Sequence, residues 1–285
     1  NEEDFYGFFG LDYIPPEIRE GTNEIDLALK HKLPKLVELK DVKGDLHVHS
    51  NYDLKPSHDS GQNSYSELCK KAKELKYSYI GFTDHNPRQK GHDDNEITLI
   101  LKKRKEHMRK TLAKHQTGSF QYFIGLEVDI LPSGKLAIPD SAIEHLDYMV
   151  VSVHSAFTMH YKEMTARVLQ ALAQPKVKIF GHPTARLIGK RDGIDLDWDK
   201  IFEFCSKKNI ALEINSWPER LDLPDSLVKR ALDLGCSFTI DTDAHEESQM
   251  ENMRYGVAVS QRGWVQSKNV MNTLSLAEFK KWIMV

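Results

Sequence analysis

From Val42 onward the chain alternates short apolar runs with longer segments whose apolar residues recur at helical spacing. The seven runs, residues 44–50, 79–85, 122–130, 149–155, 177–183, 210–216 and 237–245, are rich in β-branched and aromatic residues, which favour strands. Between them, residues 64–76, 97–115, 141–146, 162–173, 198–208 and 224–234 read as helices. Strand and helix alternating with short loops predict parallel strands, because a parallel pair needs a crossover connection. No glycine-rich GxGxxG or phosphate-cradling loop follows any run, which argues against a nucleotide-binding doubly wound sheet and for a closed barrel.

Residues 1–41 have a different texture. Pro15 biases its predecessor away from helix, so Tyr13-Ile14-Pro15-Pro16 is a connector, while 23–31 predicts one short helix that Leu33-Pro34 ends. The expected organisation is an arm, 1–41, packed on a barrel, 42–285. The chain opens on Asn1 rather than Met, and a piece trimmed from something longer is expected.

Composition narrows the class only a little. With 40% apolar and 28% charged residues the chain is ordinary globular protein, and no apolar run reaches 18 residues. Cys69, Cys205 and Cys236 are too few and too scattered for a disulfide framework, which leads us to expect a reducing cytoplasm. A net charge of −3 supplies no general attraction to polyanions, so any such contact is local. Lys102-Lys103-Arg104-Lys105 reads as the solvated face of a helix, whereas Arg186, Lys190, Arg191, Arg254 and Arg262 lie closer in sequence to the chemistry below.

That chemistry is carried by histidine. In a strand, residues two apart project to the same face, so His47 and His49 turn both imidazoles one way. Asp243 and His245 repeat the spacing in the last run, which makes that strand a neighbour of the first. Of the thirteen histidines, six (His47, His49, His85, His154, His182 and His245) fall at or near the carboxyl ends of the runs, as does Glu127 in Gly125-Leu126-Glu127. In a βα barrel those ends form one mouth where ligands collect. Imidazole and carboxylate without thiolate select Zn, Mn, Fe or similar ions, and the donors are too many for one, so two or three divalent ions roughly 3.5–4 Å apart are expected. Asp84 and Asp241 are expected to accept hydrogen bonds behind these groups. Trp217, ending the sixth run, reads as a rim aromatic, with stacking on a base or sugar as its alternative role.

His47-x-His49, Thr83-Asp84-His85, Gly125-Leu126-Glu127, Val153-His154-Ser155, Gly181-His182-Pro183-Thr184 and Thr242-Asp243-Ala244-His245 together resemble the PHP (polymerase and histidinol phosphatase) domain. His182 to Leu187, Leu221 to Asp225, Asn252 to Gly256 and Arg262-Gly263-Trp264 are similar to the carboxy-terminal PHP module of bacterial family X DNA polymerases, and so is the arm. The resemblance implies an α/β fold, a distorted (βα)7 TIM-like barrel. It also implies metal ligands at His47, His49, His85, Glu127, His154, His182, Asp243 and His245, completed by Asp59, with His58 and then Asp53 as the alternatives. The activity it implies is metal-dependent phosphoesterase chemistry, in which an activated hydroxide attacks phosphorus and Arg186 or Arg254 holds a phosphate oxygen. Its substrates would be DNA 3′ ends, processed as a 3′-5′ exonuclease does, beside a polymerase domain in the same or another chain. The alternatives are a small-molecule phosphomonoesterase of histidinol-phosphatase type and a catalytically idle module that binds a polymerase partner.

Overall fold

The computed structural model describes residues 1–284. Its strands are β1 (Gly44–Val48), β2 (Tyr79–Phe82), β3 (Gln121–Ile124), β4 (Glu127–Asp129), β5 (Met149–Ser152), β6 (Val177–Phe180), β7 (Ala211–Asn215) and β8 (Phe238–Asp241). The helices are α1 (Glu2–Phe8), α2 (Glu24–Leu29), α3 (Tyr65–Glu74), α4 (Asp94–Leu112), α5 (Tyr161–Leu172), α6 (Trp198–Lys208), α7 (Asp225–Asp233), α8 (Met253–Arg262) and α9 (Leu276–Met284). All strand pairs are parallel, in two sheets ordered β1-β2-β3 and β4-β5-β6-β7-β8. Single bridges, His85 to Glu127 and Val48 to Ala244, stitch the sheets into a TIM-like ring whose hydrogen bonding is not continuous. The first and last strands are neighbours, as the repeated i, i+2 spacing predicts.

Three expectations change. Arg104, read with Lys102, Lys103 and Lys105 as part of a solvated helix face, is fully buried instead. The third apolar run is not one strand: it breaks at Gly125-Leu126 into β3 and β4, which belong to different sheets. A Cβ on Gly125 would lie 2.7 Å from the Tyr148 ring and from the Thr83 methyl, so only glycine lets the chain cross there. The segment at 141–146 is a 3₁₀ stretch, Asp140–His145, rather than an α-helix. Alternation along β1 is also imperfect. A register shift between Asp45 and Val48 places Leu46 in an inner cluster with Tyr79, Phe123, Tyr148 and Ile179, while Val48 packs in the larger core under the helices.

Helices cover the ring because each has one apolar stripe. In α6, Ile201, Phe202 and Cys205 are buried, Asp197 caps the first turn by accepting from Lys200 N–H, and Asn209 ends the helix in the left-handed conformation. Ahead of β1, Ile14, Ile18, Ala28 and Leu36 pack on Trp264 just past α8, and Val37 N–H donates to Val265 O at 2.9 Å.

Candidate metal centre

Five imidazoles converge on Glu127 at the carboxyl end of the strands. His182 Nε2 and His154 Nε2 approach Glu127 Oε1 at 2.9 and 3.3 Å, while His85 Nδ1, His47 Nε2 and His49 Nε2 approach Oε2 at 3.0, 3.2 and 3.5 Å. Asp243 Oδ1 closes the other side, 3.1 Å from His49 Nε2 and 3.5 Å from His47 Nε2. The His49 and His245 rings stack with centroids 4.0 Å apart. Asp59 stands at the rim, 3.7 Å from His85 Nε2 and 3.6 Å from His245 Nε2.

Several of these atoms are buried without a hydrogen-bond partner: His47 Nε2, both nitrogens of His49, His85 Nδ1, His182 Nδ1, His245 Nε2 and Glu127 Oε2. An unmatched buried polar atom costs roughly 1–3 kcal/mol, so a convergent set of them marks a place where something other than the protein completes the coordination. The donor set fits a divalent metal ion. Four overlapping groups have their donor atoms within 4.8 Å of one another: His47, His49, Glu127 and Asp243; His85, Glu127 and His154; His49, His85 and His245; and, toward the rim, His58, Asp129 and His154.

Electrostatics favours the ligating forms of His49, His182, Glu127 and Asp243. Burial, with His245 and His85 alongside, pushes the His49 imidazole down to about 3, and burial with Arg220 nearby pushes His182 down to about 4, so both rings present neutral lone pairs. Burial alone would raise Glu127 and Asp243, but the surrounding imidazoles outweigh it and hold both well below the usual carboxylate range. His47 and His154 move the other way. Burial lowers them, yet the carboxylates win, and His154 is raised to about 9.

Carboxylates behind the rings fix their orientation. His47 Nδ1 donates to Glu213 Oε1 at 2.6 Å, which aims Nε2 into the centre, and Glu213 also accepts from His182 N–H and Asn215 Nδ2. Asp129 holds His154 Nδ1 at 2.7 Å and His58 Nε2 at 3.0 Å. Asp84 accepts from Tyr65 Oη at 2.7 Å and from Ser50 N–H, and Asp241 accepts from Leu46 N–H at 2.8 Å, which is the supporting role expected of both. Gly61 ties the rim loop to β1, since a Cβ there would lie 2.1 Å from His49 O. His182 and Asp243 sit at φ of +26° and +53°, a strained region for such residues, so the frame holds two of the convergent side chains against their backbone preference.

A family model for the PHP domain matches residues 45–217. The chain belongs to the PHP domain family. Members of the PHP family are metal-dependent phosphoesterases. The chain is 35% identical over 284 residues to the DNA polymerase/3′-5′ exonuclease PolX of Bacillus subtilis; the match covers 99% of this chain but 48% of PolX, so the chain spans about half the length of that relative. A probable phosphatase of Aliivibrio fischeri is 22% identical over 181 residues, 60% of this chain and 69% of its own. The histidinol phosphate phosphatase of Lactococcus lactis, solved with zinc, L-histidinol and phosphate, superposes with a TM-score of 0.50 at 18% identity, over 79% of this chain and 95% of that one, and so shares the fold.

The PHP mouth gathers eight of the expected side chains, His47, His49, His85, Glu127, His154, His182, Asp243 and His245. Of the three residues considered for the ninth place, Asp59 lies beside His85 and His245, His58 lies against Asp129, and Asp53 is exposed and paired with Lys55. Arg186 and Arg254 are not brought to the mouth. The Arg186 guanidinium donates to the carbonyls of Arg220 and Leu221, and Arg254 lies on the exposed face of α8 beside Tyr255. Two other arginines line the 530 Å³ mouth cavity. Arg220 Nε is 3.5 Å from Asp243 Oδ2 with Nη1 buried and unpaired, and Arg191 lies 4.0 Å over the Phe157 ring. Sequence reasoning also missed Glu213, which sits inside an apolar strand, and Asp129, whose alternation with Glu127 in β4 was its available signal. Among the described residues no helix is long and apolar enough to cross a membrane.

Proposed function

We propose that the chain is a hydrolase of phosphate esters whose mouth holds two or three divalent ions, Zn, Mn or Fe, on His47, His49, Asp59, His85, Glu127, His154, His182, Asp243 and His245. The observation that carries this reading is the set of buried, unpaired imidazole and carboxylate atoms converging around Glu127. Ions bound there supply Lewis acidity and a water that ionises near neutral pH.

The protein's own groups do the rest. Glu213 and Asp129 lock the His47 and His154 tautomers, so that no reorganisation is needed when substrate arrives. Arg220 lines the mouth cavity, has an unpaired Nη1, and is the arginine we assign to hold a non-bridging phosphate oxygen through a charge-assisted hydrogen bond. Arg191, braced on Phe157 and donating Nε to Ala185 O, adds positive charge to the rim. Trp217 lines the same cavity and offers an aromatic face to a base or sugar.

The finer reading is end-processing of DNA, with 3′-5′ exonuclease activity. It rests on the similarity to PolX across nearly all of this chain and on an open, cation-lined mouth with an aromatic rim. The test is hydrolysis of bis-p-nitrophenyl phosphate and of 3′-end-labelled DNA with Mn²⁺, run beside a His47→Ala, Asp243→Ala double variant. Release of nucleotides from DNA that vanishes in the variant supports the reading. Turnover of histidinol phosphate with no action on DNA would replace it with a metabolite phosphatase, and silence on every ester by the metal-loaded protein would leave a partner-binding module.

A further inference from the structure

A second cavity of about 740 Å³ opens at the opposite end of the ring, where β3, β5 and β6 begin. It follows from the break in the third apolar run. β3 pairs with β2 on one edge, but among the described residues its other edge is hydrogen-bonded to the approach to β5 through Asp147 alone, whose N–H donates to Ile124 O at 2.7 Å and whose carboxylate accepts from Ile124 N–H at 2.8 Å. The gap so left is floored by Phe123 and Ile283, which belong to the inner apolar cluster.

β6 aims a cation into this gap. Met149 pairs with Val177 and Val150 with Ile179, so Lys178 is the extra residue of a bulge, a device that redirects a side chain. Lys178 is 8% exposed, lines the cavity and has no hydrogen-bond or ion-pair partner among the described residues. The stem of Lys178 is packed away, while its ammonium opens on the cavity with no protein partner to compete with an anion there. Arg109, Lys176 and Lys280 line the same space against the one carboxylate of Asp147. Lys176 Nζ is occupied by the carbonyls of Ile143 and Leu146, at 3.0 and 2.6 Å, which leaves Arg109, Lys178 and Lys280 to face a ligand. The metal-centre mouth and this cavity share no lining residue.

We propose that this cavity is a binding site for a small phosphorylated ligand with an aromatic body, of the nucleoside monophosphate class. The phosphate is held by Lys178 with Arg109 and Lys280, and the ring packs on Phe123 and Ile283. Three cations along the cavity wall supply the charge, the apolar floor of Phe123 and Ile283 supplies the area, and the volume falls within the range of small-molecule sites.

The test is isothermal titration of the metal-loaded full chain with AMP, inorganic phosphate and adenosine. AMP binding is expected to include a component that survives Glu127→Gln, which disables the mouth, and that falls at least about tenfold in Lys178→Met, the loss expected for a hydrogen bond to a charged group. Hydrolysis of bis-p-nitrophenyl phosphate is expected to be unchanged in Lys178→Met. Adenosine and phosphate are each expected to bind more weakly than AMP. An Arg109→Gln, Lys280→Gln double variant, altered outside the buried core, is expected to weaken AMP in the same sense and carries the test should Lys178→Met fail to fold. The proposal is overturned if AMP binding disappears entirely in Glu127→Gln, or is untouched by the cavity variants. It is equally overturned if phosphate or adenosine alone binds as tightly as AMP.

Discussion

Two buried polar clusters lie within a few residues of each other in this molecule, and they are built on opposite principles. Around Arg104, all of the charge is matched: Nε and Nη2 reach Asp84 at 3.0 and 2.7 Å, Nε also reaches Tyr65 Oη, and Nη1 and Nη2 donate to the carbonyls of Gly125 and Phe82 at 2.6 and 3.0 Å. Around Glu127, a few ångströms from the next residue, His85, atoms of equal burial are left unmatched. The first cluster consumes its own polarity and so holds α4 against β2 and the β3–β4 break. The second keeps its polarity available, which a fold tolerates only where a ligand repays the desolvation. Satisfaction of hydrogen bonds, rather than burial or charge, tells the two apart.

Glu127→Gln breaks the comparison most severely. It removes the one carboxylate shared by two donor groups, and phosphodiesterase activity with Mn²⁺ is expected to fall by more than about 100-fold, beyond what loss of a merely supporting partner causes. The metal-free protein is also expected to melt lower, because the amide can still accept from His182 Nε2 but loses the carboxylate's attraction for the His47, His85 and His154 imidazoles.

Arg104→Met tests the other cluster on the other axis. Leaving Asp84 buried without its partner is expected to cost about 3–5 kcal/mol in urea unfolding, with kcat per folded molecule preserved. The pH dependence has a definite sign. Burial raises the Asp84 pKa, but Arg104, Tyr65 and Ser50 outweigh it and hold it below the ordinary aspartate value of 3.8. The stabilisation is therefore present above that pH and is lost as pH falls through the lower folded value, and the wild-type advantage over Arg104→Met should shrink in acid.

Arg220→Gln is expected to lower kcat/KM about 100-fold, the scale of losing one preorganised donor, whereas Arg254→Gln should leave it unchanged. Equal losses in the two would restore Arg254 to the site. Glu213→Gln sharpens the picture with the smallest effect. Metal affinity measured by competition with a chelator is expected to fall about 10- to 100-fold, and excess Mn²⁺ should recover most of the activity.

The residues legible in the sequence were those whose chemistry is rare and whose position repeats. Histidines at the ends of successive apolar runs stand out, and the paired spacing of 47/49 and 243/245 even announced which strands meet. Glu213 was hidden because a carboxylate in Ala-Leu-Glu-Ile-Asn looks like a solvent-facing strand residue until the barrel closes around it. Arg186 and Arg254 misled because nearness in sequence to His182 and Asp243 says nothing of direction: one side chain turns to backbone carbonyls, the other to solvent. Arg220 lay beyond Pro218 in a loop whose path no periodicity describes. Nor could apolar pattern reveal the break at Gly125-Leu126, since both halves of that run are equally strand-like.

The seam between β1 and β8 has a kinetic meaning. Among the described residues one backbone bridge, Val48 with Ala244, joins β1 to the segment just after β8, with His49 N–H on Ala244 O at 2.8 Å, and residues that meet along the seam, such as Leu46 and Asp241, are 195 positions apart in the chain. Contacts so distant in sequence are slow to form because the whole intervening loop must be ordered first. His47 and His49 stand on one side of the seam, Asp243 and His245 on the other, so an ion held between them would act as a rivet driven after the plates are aligned. Metal loading should then slow unfolding in denaturant while leaving the refolding limb nearly unmoved, a split that stopped-flow measurements with and without chelator would read directly.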